Sequence, residues 1–158
     1  MEQFEEDDFF SALARSGARI LLIGRRALIA LGIPVLTADY DLWVHIDDIE
    51  KLNTALEGLD MAPNAQPADA RQPGRYVIEN SVRVDVLVAR AQTTKDGAVR
   101  LSFDDCWSRR QTVRYGGVEV FLPTIADLVT TKRWSMRVKD LPDIQLLESL
   151  RREVEGKS

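Results

Sequence analysis

At 158 residues, with 45% apolar and 29% charged side chains, the chain has the size and composition of one globular domain with its own core. No apolar stretch approaches the length of a membrane span, and Glu2, Glu5, Glu6, Asp7 and Asp8 exclude a basic-then-apolar signal peptide, so a cytoplasmic protein with no membrane partner is expected. The net charge of −4 speaks against non-specific nucleic-acid binding, and one cysteine (Cys106) with one histidine (His45) leaves neither an internal disulfide nor an ordinary zinc site.

In chain order, Phe4 to Arg15 reads as an amphipathic helix burying Phe9, Phe10 and Leu13 and ending near Gly17. Arg19 to Ile23 is a short, continuously apolar strand of the buried kind. Gly24 breaks it, and Arg25 to Leu31 suits a short helix stopped by Gly32 and Pro34. Tyr40 to Ile46 is a second strand, and Asp47 caps a helix running to about Gly58. Pro63 to Gly74, rich in proline and small residues, reads as a loop. Tyr76–Glu79 and Val82–Ala89 make a hairpin, Ala91–Val99 another loop, and Phe103–Arg109 a helical turn. Gln111–Tyr115 and Val118–Leu122 flank Gly116-Gly117, a strong hairpin signal. Helices at about 124–136 and 141–154 close the chain, the second beginning at Pro142. The expectation is an α+β fold, one domain over 1–158, with a core at about 18–122 and C-terminal helices at about 124–154.

Three carboxylates carry the chemistry. Asp39 and Asp41 are two apart at the head of Leu42-Trp43-Val44, so they point to the same side of a strand. Asp85 sits inside the run Val82 to Val88. Charge in a β run is costly unless a metal, a partner or water receives it. Oxygen donors so placed suit one or two Mg²⁺ ions for phosphoryl chemistry.

The stretch Ile23-Gly24-Arg25-Arg26-Ala27-Leu28, followed by Thr37-Ala38-Asp39-Tyr40-Asp41-Leu42, resembles the signature of the polymerase β-like nucleotidyltransferase superfamily. In that family an apolar strand meets Gly-Gly or Gly-Ser, a short helix, a D-x-D pair on the next strand and a third acid later. The later segment, Leu122-Pro123-Thr124, Asp127 to Lys132, Arg137 to Asp140 and Asp143, resembles its small bacterial branch, which includes abortive-infection nucleotidyltransferase toxins. The resemblance spans residues 18 to 150 and implies a mixed sheet flanked by helices. It also implies Asp39, Asp41 and Asp85 as catalytic and Mg²⁺-holding residues, Gly24, Arg25 and Lys132 at an NTP, and transfer of a nucleoside monophosphate. The acceptor would be a protein, an RNA or a small molecule. The chain has little room for the acceptor-binding domain of larger relatives, which implies either a partner subunit such as an antitoxin or an acceptor held at the Pro63–Gly74 loop.

Arg25 stands where the family has Gly or Ser, so it either clamps phosphate, pairing with Asp39 or Asp41 when no nucleotide is bound, or fills the phosphate space and leaves a silent protein that binds nucleotide or a partner. Plainer roles stand beside the others. Arg83 shares a strand face with Asp85 and can pair with it, and Lys132 can be a solvated helix residue. Arg137, Lys139, Asp140 and Asp143 can form an ion-pair network joining the last two helices, while His45, the three tryptophans and Cys106 read as structural. A metal nuclease would need a lysine soon after the last acid, and Asp85 has none.

Overall fold

The buried run Ile20–Ile23 (β1) pairs antiparallel with Tyr40–Val44 (β2), and between them Gly24–Ala30 (α2) makes two turns. The computed structural model describes residues 4–135 and 137–156, so Glu2 and the predicted helical residue Met136 lie outside it. From β2 the chain passes through Ile49–Glu57 (α3), Ala62–Pro63 (β3), Pro67–Arg71 (α4) and Arg75–Glu79 (β4). It then returns as Arg83–Leu87 (β5), which lies parallel to β2 and antiparallel to β4. The five-stranded mixed sheet has the order β1-β2-β5-β4-β3, flanked by helices, which is the α+β architecture expected.

Ala91–Thr93 (β6) and Arg100–Ser102 (β7) form a small hairpin before Phe103–Arg109 (α5). Gln111–Tyr115 (β8) and Val118–Leu122 (β9) form the hairpin that Gly116-Gly117 signalled. Ile125–Lys132 (α6) and Leu141–Gly156 (α7) pack against one another. Two predicted loops therefore carry structure. In the first, Pro67–Arg71 is helical, opened by a proline whose missing N–H costs nothing there. Pro63 continues a strand from Ala62 that pairs with Ile78 and Glu79, and it is tolerated because this strand is at the sheet edge. In the second, Ala91–Thr93 finds a partner beyond a turn at Asp96-Gly97.

Helix Glu6–Arg15 (α1) buries Phe9, Phe10 and Leu13 as its sequence requires. Phe9 and Phe10 close on Tyr40 with ring centroids 5.3 and 6.1 Å away. Each buried aromatic contributes roughly 1.5–3 kcal/mol. The Tyr40 hydroxyl donates to Glu6, and the Arg26 guanidinium lies 4.0 Å above the Tyr40 ring. Asp47 does not cap α3; residues Ile46–Asp48 form a 3₁₀ turn, in which His45 Nδ1 accepts the Asp47 N–H and Asp48 takes Arg19 at 2.8 Å. Among the described residues no helix is long and apolar enough to cross a membrane.

Candidate active site

Alternation along β2 sends Tyr40, Leu42 and Val44 toward one face and Asp41 and Trp43 toward the other. Asp41 lies between two strands, with Ile23 of β1 as its partner on one side and Asp85 of β5 on the other. Neighbouring strands run about 4.8 Å apart, so Asp41 and Asp85 meet on one face. Repulsion among the carboxylates falls on Asp41. Burial, then Asp85 and Asp39, push its pKa up to about 6, against the pull of Lys132 and Arg137.

Gly24 has φ +70°, and a Cβ there would collide with Asp41 Oδ2 and stand 3.1 Å from the Asp41 Cβ. The glycine thus makes room for a carboxylate of this chain, apart from any approach of ligand to backbone. Replacing Gly24 with Ala is expected to cost about 1–3 kcal/mol for the left-handed backbone alone and to displace Asp41. A denaturant melt checks it; an unchanged midpoint would show that neither the left-handed backbone nor the contact with Asp41 carries a cost.

Two hollows meet at Asp41. The first, about 640 Å³, is lined by Gly24, Arg25, Asp39, Asp41, Lys132, Arg137, Lys139, Asp140 and Asp143 among others. The second, about 690 Å³, holds Asp85, Arg83, Arg75 and part of the 63–74 segment, including Asn64, Asp69 and Pro73. Asp39 and Asp85 thus open into adjoining hollows that share Asp41. Its Oδ1 accepts both Nε and Nη2 of Arg83, at 3.3 and 3.1 Å, so the ion pair read from strand alternation is present. Among the described residues no three acidic, histidine or cysteine side chains converge so as to hold a metal ion. The donor type still fits magnesium: all three are hard oxygen ligands, and a cation would relieve the charge crowded on Asp41.

The cations are arranged differently from expectation. Arg25 pairs with neither Asp39 nor Asp41. Its Nε donates to Asp143 Oδ2 at 3.2 Å and its Nη1 to the Leu36 carbonyl at 2.7 Å, so it ties the loop before β2 to α7. Lys132 is not a solvated helix residue. Its side chain is 11% exposed, and Nζ sits 3.0 Å from Asp143 and 3.9 Å from Asp140. Burial would raise the Asp143 pKa, but hydrogen bonds from Arg25 and Lys132, with the attraction of both charges, hold it below the usual carboxylate range. Arg137 Nε binds Asp140 at 3.1 Å, as the network reading required, while Lys139 takes no part in it.

Arg26 was missed in the sequence. It is buried, and it donates to the carbonyls of Asp39 and Thr37 at 3.3 and 3.1 Å, fixing the irregular segment that carries Asp39. Its signal was an arginine in a helix too short to hide its charge without carbonyl partners. Cys106 is buried with its thiol pKa pushed up to about 12, first by burial and then by Asp127, so it is unreactive. His45 packs edge-on against Phe103, and Trp43 is fully buried with Nε1 donating to the Ala89 carbonyl.

No family model matches the chain, and no curated protein matches it at a significant level. Solved structures do. A candidate nucleotidyltransferase from Thermotoga maritima superposes with a TM-score of 0.59 at 11% identity, over 95% of this chain and 90% of the other. The antibiotic-resistance factor ANT(2'')-Ia gives 0.62 at 12% identity, over 96% and 89%. The lincosamide antibiotic adenylyltransferase LnuA, solved with lincomycin bound, gives 0.61 at 14% identity, over 94% and 99%. At these identities the likeness is one of fold. The chain has the nucleotidyltransferase fold, and it is close in length to the chains it resembles.

Proposed function

We propose that this protein transfers a nucleoside monophosphate from an NTP to a hydroxyl of a small-molecule acceptor. The observation that carries the reading is Asp41 at the junction of two hollows, one walled by cations and the other containing Asp85. The NTP would lie in the first hollow with its triphosphate between the Gly24 turn and the Lys132 wall. The second has the volume of a small-molecule site and is bounded by the 63–74 segment, where the acceptor would rest. Two of the superposing proteins bear names from antibiotic chemistry, one of them with a lincosamide bound, which supports a small molecule over a macromolecule. An RNA end, a protein hydroxyl or an antitoxin-like partner rests on the sequence resemblance to the toxin branch alone.

Asp39 and Asp41, with Asp85 beside them, would hold magnesium, whose positive charge would offset that building on the phosphates. The acceptor oxygen attacks the α-phosphorus in line, the bond from that phosphorus to the bridging oxygen breaks, and pyrophosphate leaves with the electron pair. The acceptor proton passes to Asp85 Oδ2, which accepts no hydrogen bond from the described residues while Arg83 occupies Oδ1. Arg26 keeps Asp39 in place, and Asp143 keeps Lys132 and Arg25 at the wall.

A second reading, a silent nucleotide-binding protein, is favoured by the Arg83–Asp85 pair, which lowers the availability of the base. Incubation with Mg²⁺, each α-labelled NTP and a panel of hydroxylated small molecules separates the two. Pyrophosphate release that requires acceptor and Mg²⁺ is expected. Nucleotide binding with no turnover across the panel supports the silent reading, and absence of any nucleotide binding overturns both.

A further inference from the structure

Among the described residues, four cations line the first hollow: Arg25, Lys132, Arg137 and Lys139. Three are committed. Arg25 and Lys132 hold Asp143, and Arg137 holds Asp140, at 3.2, 3.0 and 3.1 Å. Asp140 and Asp143 are 3% and 2% exposed, so withdrawing these cations toward a ligand would leave ionised carboxylates buried and unpaired. They form a fixed wall.

Lys139 is different. It lies in the 3₁₀ turn Val138–Asp140 at the start of α7, is exposed, and has no ion pair or hydrogen bond with any described residue. From that turn it lines the same hollow as Asp39 and Asp41, with its ammonium uncommitted. The charge of the lining makes the same point. The three committed cations face four carboxylates (Asp39, Asp41, Asp140 and Asp143), so before any magnesium binds the side chains other than Lys139 leave the hollow net negative. Of these four, Lys139 alone can move onto a ligand without stranding a buried acid.

Resting on the nucleotide reading above, we infer that Lys139 is the contact for the outer phosphates of the NTP and sets the preference for a triphosphate over a monophosphate. The nucleoside end and α-phosphate sit nearer the Asp39–Asp41 pair, where the transfer takes place, and the β- and γ-phosphates extend toward the 3₁₀ turn. A lysine on a short, exposed turn suits this role, because its ammonium reaches a phosphate as a mobile point charge and releases it with pyrophosphate.

Isothermal titration of wild type, Lys139→Ala and Lys139→Arg with Mg-ATP, AMP and tripolyphosphate tests it, with melting curves as the folding control. Lys139→Ala is expected to weaken Mg-ATP and tripolyphosphate on the order of tenfold, as for loss of one charged hydrogen bond. AMP affinity and melting temperature should stay unchanged, and Lys139→Arg should retain most of the affinity. Equal Mg-ATP affinity in wild type and Lys139→Ala overturns the inference alone, as does an equal loss for AMP. A wild type that binds neither Mg-ATP nor Mg-CTP, Mg-GTP or Mg-UTP overturns the nucleotide reading and the inference with it.

Discussion

Asp41→Asn is expected to raise thermal stability at pH 7.5 and to abolish nucleotidyl transfer in the same molecule. Asp41 is crowded by burial, Asp85 and Asp39, and its folded pKa of about 6 lies above the ordinary 3.8. The fold thus favours the neutral acid. That advantage is fully present below pH 3.8 and is lost as pH rises through about 6, so at pH 7.5 the wild type carries the whole penalty. The gap between the two values corresponds to roughly 3 kcal/mol. Solvent at this half-buried group screens it, and about 1–2 kcal/mol is a fair expectation. Asparagine keeps the shape and removes the charge, and each kcal/mol should raise the melting temperature by about 2–4 °C in a chain of this length. Melting curves at pH 7.5 and pH 4 check the argument, since the gain should shrink toward zero where the wild-type acid is neutral as well. A gain that stays the same at both pH values would mean that charge repulsion is not its source. The trade is the one expected of a catalytic carboxylate, whose position is held for its ligand at the expense of the empty protein.

The fold was legible wherever a local pattern sufficed. Leu21-Leu22 could only be a buried strand, Gly116-Gly117 could only turn a hairpin, and the stripe of Phe9, Phe10 and Leu13 fixed the face of α1. Strands β3 and β6 were not legible. Ala62-Pro63 and Ala91–Thr93 have no alternation of their own and become strands because Ile78 and Leu101 offer an edge to pair with. The site divides in the same way. Spacing brought Gly24, Asp39 and Asp41 together, and strand alternation exposed the Arg83–Asp85 pair. The partner of Arg25 could not be read, because Asp143 is 118 positions away and reaches it only after α7 has packed. Lys132 lines the first hollow, but its burial could not be read for the same reason: on α6 alone it looks like a surface residue, and its partner Asp143 comes from α7.

That burial sets the second large effect. Lys132→Ala is expected to destabilise the protein by about 2–3 kcal/mol, well beyond the half kcal/mol typical of a surface substitution. Removing one member of a buried pair typically costs about 3–5 kcal/mol because the other is left charged and desolvated. Here Arg25 still donates to Asp143 from the far side, which tempers the loss. The pH dependence follows from Asp143. Its folded pKa lies below the ordinary 3.8, so the stability it contributes is present above that value and is lost as pH falls through the lower one. The difference between wild type and Lys132→Ala should therefore be flat from pH 5 to pH 8 and contract only below about pH 4, where Asp143 protonates and no longer needs the ammonium. Urea melts across that range read it directly. Removing both partners, in Lys132→Met with Asp143→Leu, should recover part of the loss, because no buried charge is left behind. If Lys132→Ala melts with wild-type midpoints at every pH, the lysine is not holding α7 to α6, and the fixed cationic wall of the first hollow does not exist.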